Sequence, residues 1–454
     1  VYLNNLASTD QIISELTAHK TTFLAVYERD EDFANTVITN VPSLRRIINI
    51  NPSTPSAILE FTFLPYDAFL KHAKYFRGNI QSVLAKHLFS RQDAIFLQTS
   101  GSTSGRPKSL PFSDENVFAA LIYAANSTGT KTNDQTVKKV LCALPYRLPY
   151  GWMTIFVNLL GGNLVELALG TTTEHIAEYW KTKASYIYGT PQMWQDFIDN
   201  TPDDVNLSFL EAFFVAGFSI SEAQFQAGTE WLRRHNCSGE LRNNYGIGEA
   251  LCVGTASDGV PHRPNTCGKF YIGPKYLIVD DNLREVAYDE IGELLVHSKS
   301  LCNGYFNDPA TTTDAFIQHH GKRFFRSGDY FSLSKDGYVT FVGRKKRFYQ
   351  PQGAPDKVNC ETIERAISDI TLLVKECVVV IYSPDDKSES SCAFIVPQKG
   401  LTPNSDLRDQ IFRRLNEGLL NYQLPSKILF LDDLPLMKSG KPNYTKLREL
   451  AEER

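Results

Sequence analysis

The chain has 454 residues, 42% hydrophobic and 22% charged, with a net charge of -4. That length exceeds one ordinary core and predicts two or three domains, and so balanced a charge gives no reason to expect nucleic acid as a partner. No apolar run approaches the ~20 residues of a bilayer span, so no membrane association is expected either.

The start, Val1-Tyr2-Leu3-Asn4-Asn5, has neither a basic nor an apolar leader region, and no secretory signal is expected. Eight cysteines occur singly, without Cys-x-x-Cys or a histidine at zinc spacing. They predict buried thiols in a reduced, cytoplasmic protein.

Residues 1 to about 90 alternate helix-like patterns, Asp10 to His19 and Tyr66 to Tyr75, with apolar runs at Thr22 to Val26 and Ser56 to Phe63. No chemistry is legible in them. The strand-like run Ala94 to Gln98 then leads into Thr99-Ser100-Gly101-Ser102-Thr103-Ser104-Gly105-Arg106-Pro107-Lys108. Small hydroxyl side chains and two glycines leave N–H and Oγ donors free to face polyphosphate oxygens. Arg106 and Pro107 separate Gly105 from Lys108, which excludes the Gly-Lys-Ser/Thr spacing of a P-loop ATPase. A flexible surface linker stays open as the plain alternative, although a helix-period segment, Ser113 to Asn126, follows at once.

Short apolar runs then recur at Val140 to Leu144, Asn163 to Leu167, Ala184 to Tyr188 and Glu211 to Val215. Helix-period segments lie between them at Glu174 to Lys183, Pro191 to Asp199 and Ser221 to Arg234. This alternation predicts an α/β, doubly wound parallel sheet with ligands beyond the carboxyl ends of its strands. Past Ala256 the texture becomes β-rich, with strands at Tyr276 to Val279, Glu293 to His297 and Tyr338 to Val342. A compact α+β pattern closes the chain: helices Glu361 to Ser368 and Asp406 to Asn416, with strands Glu376 to Tyr382, Cys392 to Val396 and Ile428 to Leu431. The expected division is residues 1–344, a large domain with doubly wound mixed or parallel sheets and a β-rich subdomain, and 345–454, a small mobile α+β domain.

Six polar motifs fall in the order of the adenylate-forming (AMP-binding) superfamily, which includes acyl- and aryl-CoA synthetases. Gly101 to Lys108 resembles its phosphate loop, Asn244-Tyr245-Gly246-Ile247-Gly248-Glu249 its Tyr-Gly-x-Thr-Glu, and Arg326-Ser327-Gly328-Asp329 its Arg-Thr-Gly-Asp. Gly292-Glu293 with Asn303-Gly304-Tyr305, Gly343-Arg344 at the hinge, and Leu434 to Lys441 at the tail complete the resemblance.

The resemblance implies a two-step, ATP-dependent ligation. Thr99 to Lys108 would hold the β- and γ-phosphates, Glu249 would bind Mg²⁺, and Asp329 would accept hydrogen bonds from the ribose, with Arg344 nearby. Tyr245, beside Asn244 and Gly246, would stack on adenine, which Gly217 and Phe218 would line. Lys441 would meet both the substrate carboxylate and the α-phosphate, forming the catalytic set with Glu249 and Lys108. Lys346 would be the pivot between adenylation and thiol transfer, and CoA or a phosphopantetheinyl carrier protein would be the acceptor.

The acyl pocket is expected from Tyr146, Arg147, Leu148, Tyr150 and Gly151, with Tyr188 and Gly189. Its aromatics fit an apolar slot and core packing equally. No carboxylate stands there to meet an ammonium, which disfavours an α-amino acid. Gly248 replaces the family Thr whose hydroxyl touches the α-phosphate. The expectation is an AMP-forming acid–thiol ligase for an aryl, polyketide-like or fatty acid, monomeric or homodimeric. A non-catalytic nucleotide-binding scaffold is the runner-up.

Overall fold

The computed structural model describes residues 8–21, 23–27, 31–44, 46–50, 63–65, 93–99, 107–127, 137–146, 148–168, 170–217, 220, 222–252, 254–256, 261, 263–355, 357–383, 389–436 and 442–453. The expected helix at Tyr66 to Tyr75 and most of the run from Ser56 to Phe63 lie outside them. So do Ser100 to Gly105, Arg147, Phe218 and Lys441.

The chain opens with helix α1 (Thr9–Ala18), whose Ser8 and Gln11 cap each other reciprocally. Three short parallel strands follow, β1 (Phe23–Tyr27), β2 (Arg46–Ile50) and β3 (Phe63–Pro65), with helix α2 (Glu31–Asn40) between the first two. Strands β4 (Asp93–Gln98) and β5 (Ser109–Ser113) form an antiparallel pair. The Ser/Gly loop therefore joins two strands, whereas the sequence places it between a strand and a helix. Strand β5 is buried at all five positions, and helix α3 (Asp114–Ser127) starts directly after it.

The expected doubly wound sheet is present. Its strands are β6 (Lys139–Cys142), β7 (Leu164–Leu167), β8 (Tyr186–Gly189), β9 (Ala212–Val215) and β10 (Glu240–Asn243), all parallel in the order β10-β9-β8-β6-β7. Helices α4 (Pro149–Leu160), α5 (Thr173–Thr182), α6 (Pro191–Asn200) and α7 (Glu222–Arg234) connect them. Thr190 caps α6 through Met193 N at 3.2 Å, and Pro191 sits at the first turn, where no amide is needed. Trp194 packs edge-on against Phe213 at 4.6 Å and against Trp231 at 5.3 Å, locking α6 and α7 to the sheet. Each such buried ring contributes about 1.5–3 kcal/mol of transfer free energy. From β6 the chain goes out to β7 and returns past β6 to β8, so the winding reverses between β6 and β8.

The β-rich part follows as β11 (Thr255–Ala256), β12 (Lys269–Phe270), β13 (Lys275–Val279), β14 (Gly292–His297), helix α8 (Pro309–Ala315), β15 (Phe316–His319), β16 (Lys322–Leu333) and β17 (Val339–Arg344). Strands β13-β14-β16-β15 form one antiparallel sheet, with β17 also on β16 and Asp329 opposite Arg344. After the turn Lys345–Arg347, β18 (Phe348–Tyr349), β19 (Val358–Asn359), α9 (Cys360–Ser368), β20 (Val374–Tyr382), β21 (Ser390–Pro397), α10 (Ser405–Gly418), β22 (Lys427–Phe430) and α11 (Tyr444–Glu453) build the C-terminal α+β unit. Val379, Ala393, Ile395, Ile411 and Leu415 lie in its own buried core. All eight cysteines are free thiols. No helix among the described residues is long and apolar enough to cross a membrane.

Candidate active site

A cleft of about 2290 Å³ opens at the carboxyl ends of the parallel strands. Leu148, Tyr150 and Gly151 reach it after β6, Thr190 after β8, Gly217 after β9, and Tyr245, Gly246, Gly248 and Glu249 after β10. The opposite wall brings Asp329 and Arg344 from the antiparallel sheet, with Lys346 beyond them. Thr99 and Lys108, which flank the Ser/Gly segment, line the cleft and pair through Thr99 N to Lys108 O at 2.9 Å. Thr99 Oγ1 also accepts from Lys108 N at 2.9 Å. Leu436 and Pro442, which flank the segment holding Lys441, line the same cleft.

Asp329 is 4% exposed. Its Oδ2 accepts the Tyr245 hydroxyl at 2.5 Å, and its Oδ1 lies 3.3 Å from Arg344 Nε in an ion pair. Among the described residues, that Oδ1 accepts no hydrogen bond. Burial raises the Asp329 carboxyl above its ordinary range, and Arg344 and Tyr245 pull it part of the way back. The Tyr245 ring stands edge-on to Phe331 at 4.8 Å and leaves Gly246 beside it on the cleft wall.

Glu249 follows Gly248 in the single 3-10 turn Gly248–Ala250, and the two residues after that turn, Leu251 and Cys252, are left-handed at φ 52° and 59°. Non-glycine residues in that region cost on the order of 1 kcal/mol each, and the bond Cys252 N to Ile247 O at 2.7 Å holds the turn. Glu249 Oε1 accepts the Tyr305 hydroxyl at 2.6 Å, and Lys108 Nζ lies 4.4 Å from the centre of the Tyr305 ring. Burial, and then the Glu249 charge, push the Tyr305 hydroxyl well above its ordinary value, so it stays a donor.

The family-like pair Glu293 and Arg326 is mainly self-supporting. Arg326 Nη2 meets Glu293 Oε2 at 2.6 Å, and Lys345 Nζ reaches the same oxygen at 3.2 Å. Burial pushes the Glu293 carboxyl up, but the two cations outweigh it and hold it below the usual carboxylate range.

In the expected acyl pocket, Gly151 brings α4 so close to the Pro145 carbonyl that any side chain would collide with it. The Tyr150 hydroxyl is buried with no hydrogen-bond partner among the described residues, and Cys252 shares the cleft wall. Tyr188 instead stacks on Phe214 at 4.4 Å, and neither it nor Gly189 reaches the cleft wall. Tyr146 is 55% exposed and likewise stands away from the wall. Tyr146, Tyr188 and Gly189 thus stand apart from the wall to which the sequence reading assigned them, Tyr188 because its ring is taken up by Phe214 on the neighbouring strand. Asn244 adjoins the wall through Tyr245, and its amide donates to Val215 O at 2.9 Å.

One contribution escaped the sequence. Glu15 and His19 of the first helical segment line the cleft, and both meet Ser109 Oγ at 3.3 Å. The His19 ring, its side chain 3% exposed, stacks on Phe306 at 4.2 Å. The i,i+4 spacing of Glu15 and His19 was the available signal, and it is a common one on solvated helices.

Residues 24–306 match the family model of the AMP-binding enzymes, and residues 362–441 match the model of that family's C-terminal domain. The chain belongs to the AMP-binding enzyme family. This AMP-binding enzyme is 24% identical over 368 residues to the D-alanine--D-alanyl carrier protein ligase of Streptococcus pyogenes serotype M5 (strain Manfredo), across 78% of this chain and 70% of the relative. Its fold is similar to that of the anthranilate CoA ligase AuaEII in complex with anthranoyl-AMP, with a TM-score of 0.78 and 21% identity over 99% of this chain and 82% of the other. The amide bond synthetase McbA from Marinactinospora thermotolerans gives a TM-score of 0.77 at 19% identity, over 99% and 84% of the two chains. The mixed α/β fold with a separate C-terminal unit thus agrees with the sequence expectation, as does membership of an ATP-dependent, adenylate-forming ligase family.

Proposed function

We propose that this AMP-binding enzyme adenylates a carboxylic acid lacking an α-ammonium, of aryl, polyketide-like or fatty type, and passes the acyl group to the pantetheine thiol of CoA or of a carrier protein. The observation that carries the reading is the buried Asp329 Oδ1 with no hydrogen bond among the described residues, set across the cleft from Lys108 and Glu249. A ribose hydroxyl supplies the missing donor, and phosphates then extend towards the loop from Thr99 to Lys108.

In the first step a carboxylate oxygen bonds to the α-phosphorus as the bond to pyrophosphate breaks. Lys108 and the loop amides neutralise the leaving charge, and Lys441 bridges the acid and the α-phosphate. In the second, the thiol loses its proton to solvent as its sulfur bonds to the acyl carbon, the acyl carbon–oxygen bond breaks, and AMP leaves with that electron pair. Turning at Lys346 exchanges Lys441 for the thiol between the steps.

The Glu249 carboxylate on the cleft wall, with no cluster of three metal-ligating side chains among the described residues, fits a Mg²⁺ that arrives with the nucleotide. Glu249 would hold it, and the ion supplies charge neutralisation at the phosphates.

The described stretch around Leu148 has no carboxylate to pair an ammonium, while the Tyr150 hydroxyl, partnerless among the described residues, offers a hydrogen bond to a polar group on the acid. An ATP–pyrophosphate exchange panel of aryl, β-keto and fatty acids plus D-alanine tests the reading. Exchange with at least one non-amino acid is expected. Silence across the panel, or a response to D-alanine alone, contradicts it. Gly248 favours one other reading, a nucleotide-binding scaffold without turnover, and detection of AMP release with acid and thiol present rules that out.

A further inference from the structure

Three distant stretches meet at Tyr305. Its loop is tied to the phosphate-loop strand by Asn303 N to Pro111 O and Phe306 N to Ser109 O, both 3.0 Å, and to the metal-site turn by Cys302 N to Glu249 O at 2.8 Å. Tyr305 N donates to Thr312 Oγ1 at 2.8 Å, and the preceding Gly304, at φ +139°, lies where a Cβ would come within 2.6 Å of Thr312 Cγ2. All this backbone anchoring fixes one buried side chain, 9% exposed. Packing alone would be served by phenylalanine, yet the hydroxyl reaches Glu249 Oε1 at 2.6 Å, and the ring face holds Lys108 Nζ at 4.4 Å.

We propose that Tyr305 is a positioning residue of the nucleotide site: its hydroxyl aims the Glu249 carboxylate at the cation that accompanies ATP, and its ring keeps the Lys108 ammonium directed at the phosphates. A hydrogen bond to one lone pair of a ligating carboxylate fixes its rotation and leaves the remaining lone pairs for the metal. The aromatic face meanwhile restrains a long, flexible lysine without neutralising it, as an acidic partner would. The two halves of the charge-balancing apparatus are thereby set by one residue. The inference rests on the proposed ATP-dependent adenylation.

The test is equilibrium binding of ATP to the full chain by calorimetry, without acid, across a Mg²⁺ titration and in chelator. Wild type should bind ATP more tightly as Mg²⁺ rises; if it binds no ATP under any condition, the adenylation reading fails, and this one with it. Tyr305→Phe should lower the apparent Mg²⁺ affinity about 10-fold while binding in chelator stays unchanged, because the ring and Lys108 remain. Tyr305→Leu should weaken ATP binding in chelator as well. In a Glu249→Gln background, Tyr305→Phe should shift the Mg²⁺ dependence no further, an outcome that a merely structural role would not produce. The proposal is overturned if wild type binds Mg²⁺ATP normally and Tyr305→Phe, folded by its thermal transition, keeps the wild-type Mg²⁺ dependence. A full additional shift in the Glu249→Gln background overturns it too.

Discussion

Gly248 stands where the family resemblance expects a hydroxyl, and the structure has room to restore one. A Cβ there would lie 3.7 Å from Pro149 Cγ and 3.9 Å from Leu110 Cδ1, ordinary contact distances, and the residue is not in the left-handed region. Gly248→Thr therefore introduces no collision of the Cβ, and loss of backbone freedom in the unfolded chain contributes about 0.4–1 kcal/mol of stability. A hydroxyl donating to a charged phosphate oxygen is worth about 1.5–3 kcal/mol. Expressed mainly in the transition state, that amounts to roughly a 10- to 100-fold rise in kcat for ATP–pyrophosphate exchange. Gly248→Ala is the control, since it gains the backbone term but lacks the donor. Equal exchange rates for the Thr and Ala variants would refute the reasoning.

Tyr245→Phe should leave both Asp329 oxygens without hydrogen bonds, costing about 1–3 kcal/mol. Asp329 is already raised by burial, so its contribution is present at low pH and lost as pH rises through its folded value. The deficit should grow with pH in thermal melts, and one that is flat with pH argues against the assignment. Glu361, pushed up to about 7 by burial despite Arg347, should destabilise the protein as pH rises from its ordinary 4.5 through 7. Glu361→Gln should thus be more stable than wild type at pH 8, by up to about 3 kcal/mol, with the gap closing in acid; denaturant titrations at the two pH values decide it. Lys441→Ala should cut adenylation on the order of 10²–10³-fold while sparing thiolation of a presynthesised acyl-adenylate. Matched losses in the two half-reactions would remove Lys441 from the first.

Four of the five parallel strands were legible as short apolar runs between helix-period segments, whereas the edge strand β10, Glu240-Leu241-Arg242-Asn243, has one apolar residue and was not. Strand β5 was not: Ser109-Leu110-Pro111-Phe112-Ser113 has a proline at its centre and hydroxyls at both ends, which local propensity assigns to a turn. Only pairing with β4 makes it a strand. Asp329, Glu249 and Lys108 could be named from their motifs. That Tyr245 donates to Asp329, and Tyr305 to Glu249, depends on contacts 84 and 56 residues apart, which no local pattern encodes. Tyr146 and Tyr188 show the converse: a motif window says which residues are near a pocket, while the backbone direction of each decides which ones face it.

The cross-strand partnership of Asp329 with Arg344 has one more outcome. Arg344 ends its strand, and Lys345 immediately leaves to bind Asp281 and Glu293. A sugar settling on Asp329 would therefore be felt within two peptide bonds of the place where the polypeptide departs for its last quarter. Occupancy and reorientation would be neighbours along the backbone, with no long relay between them.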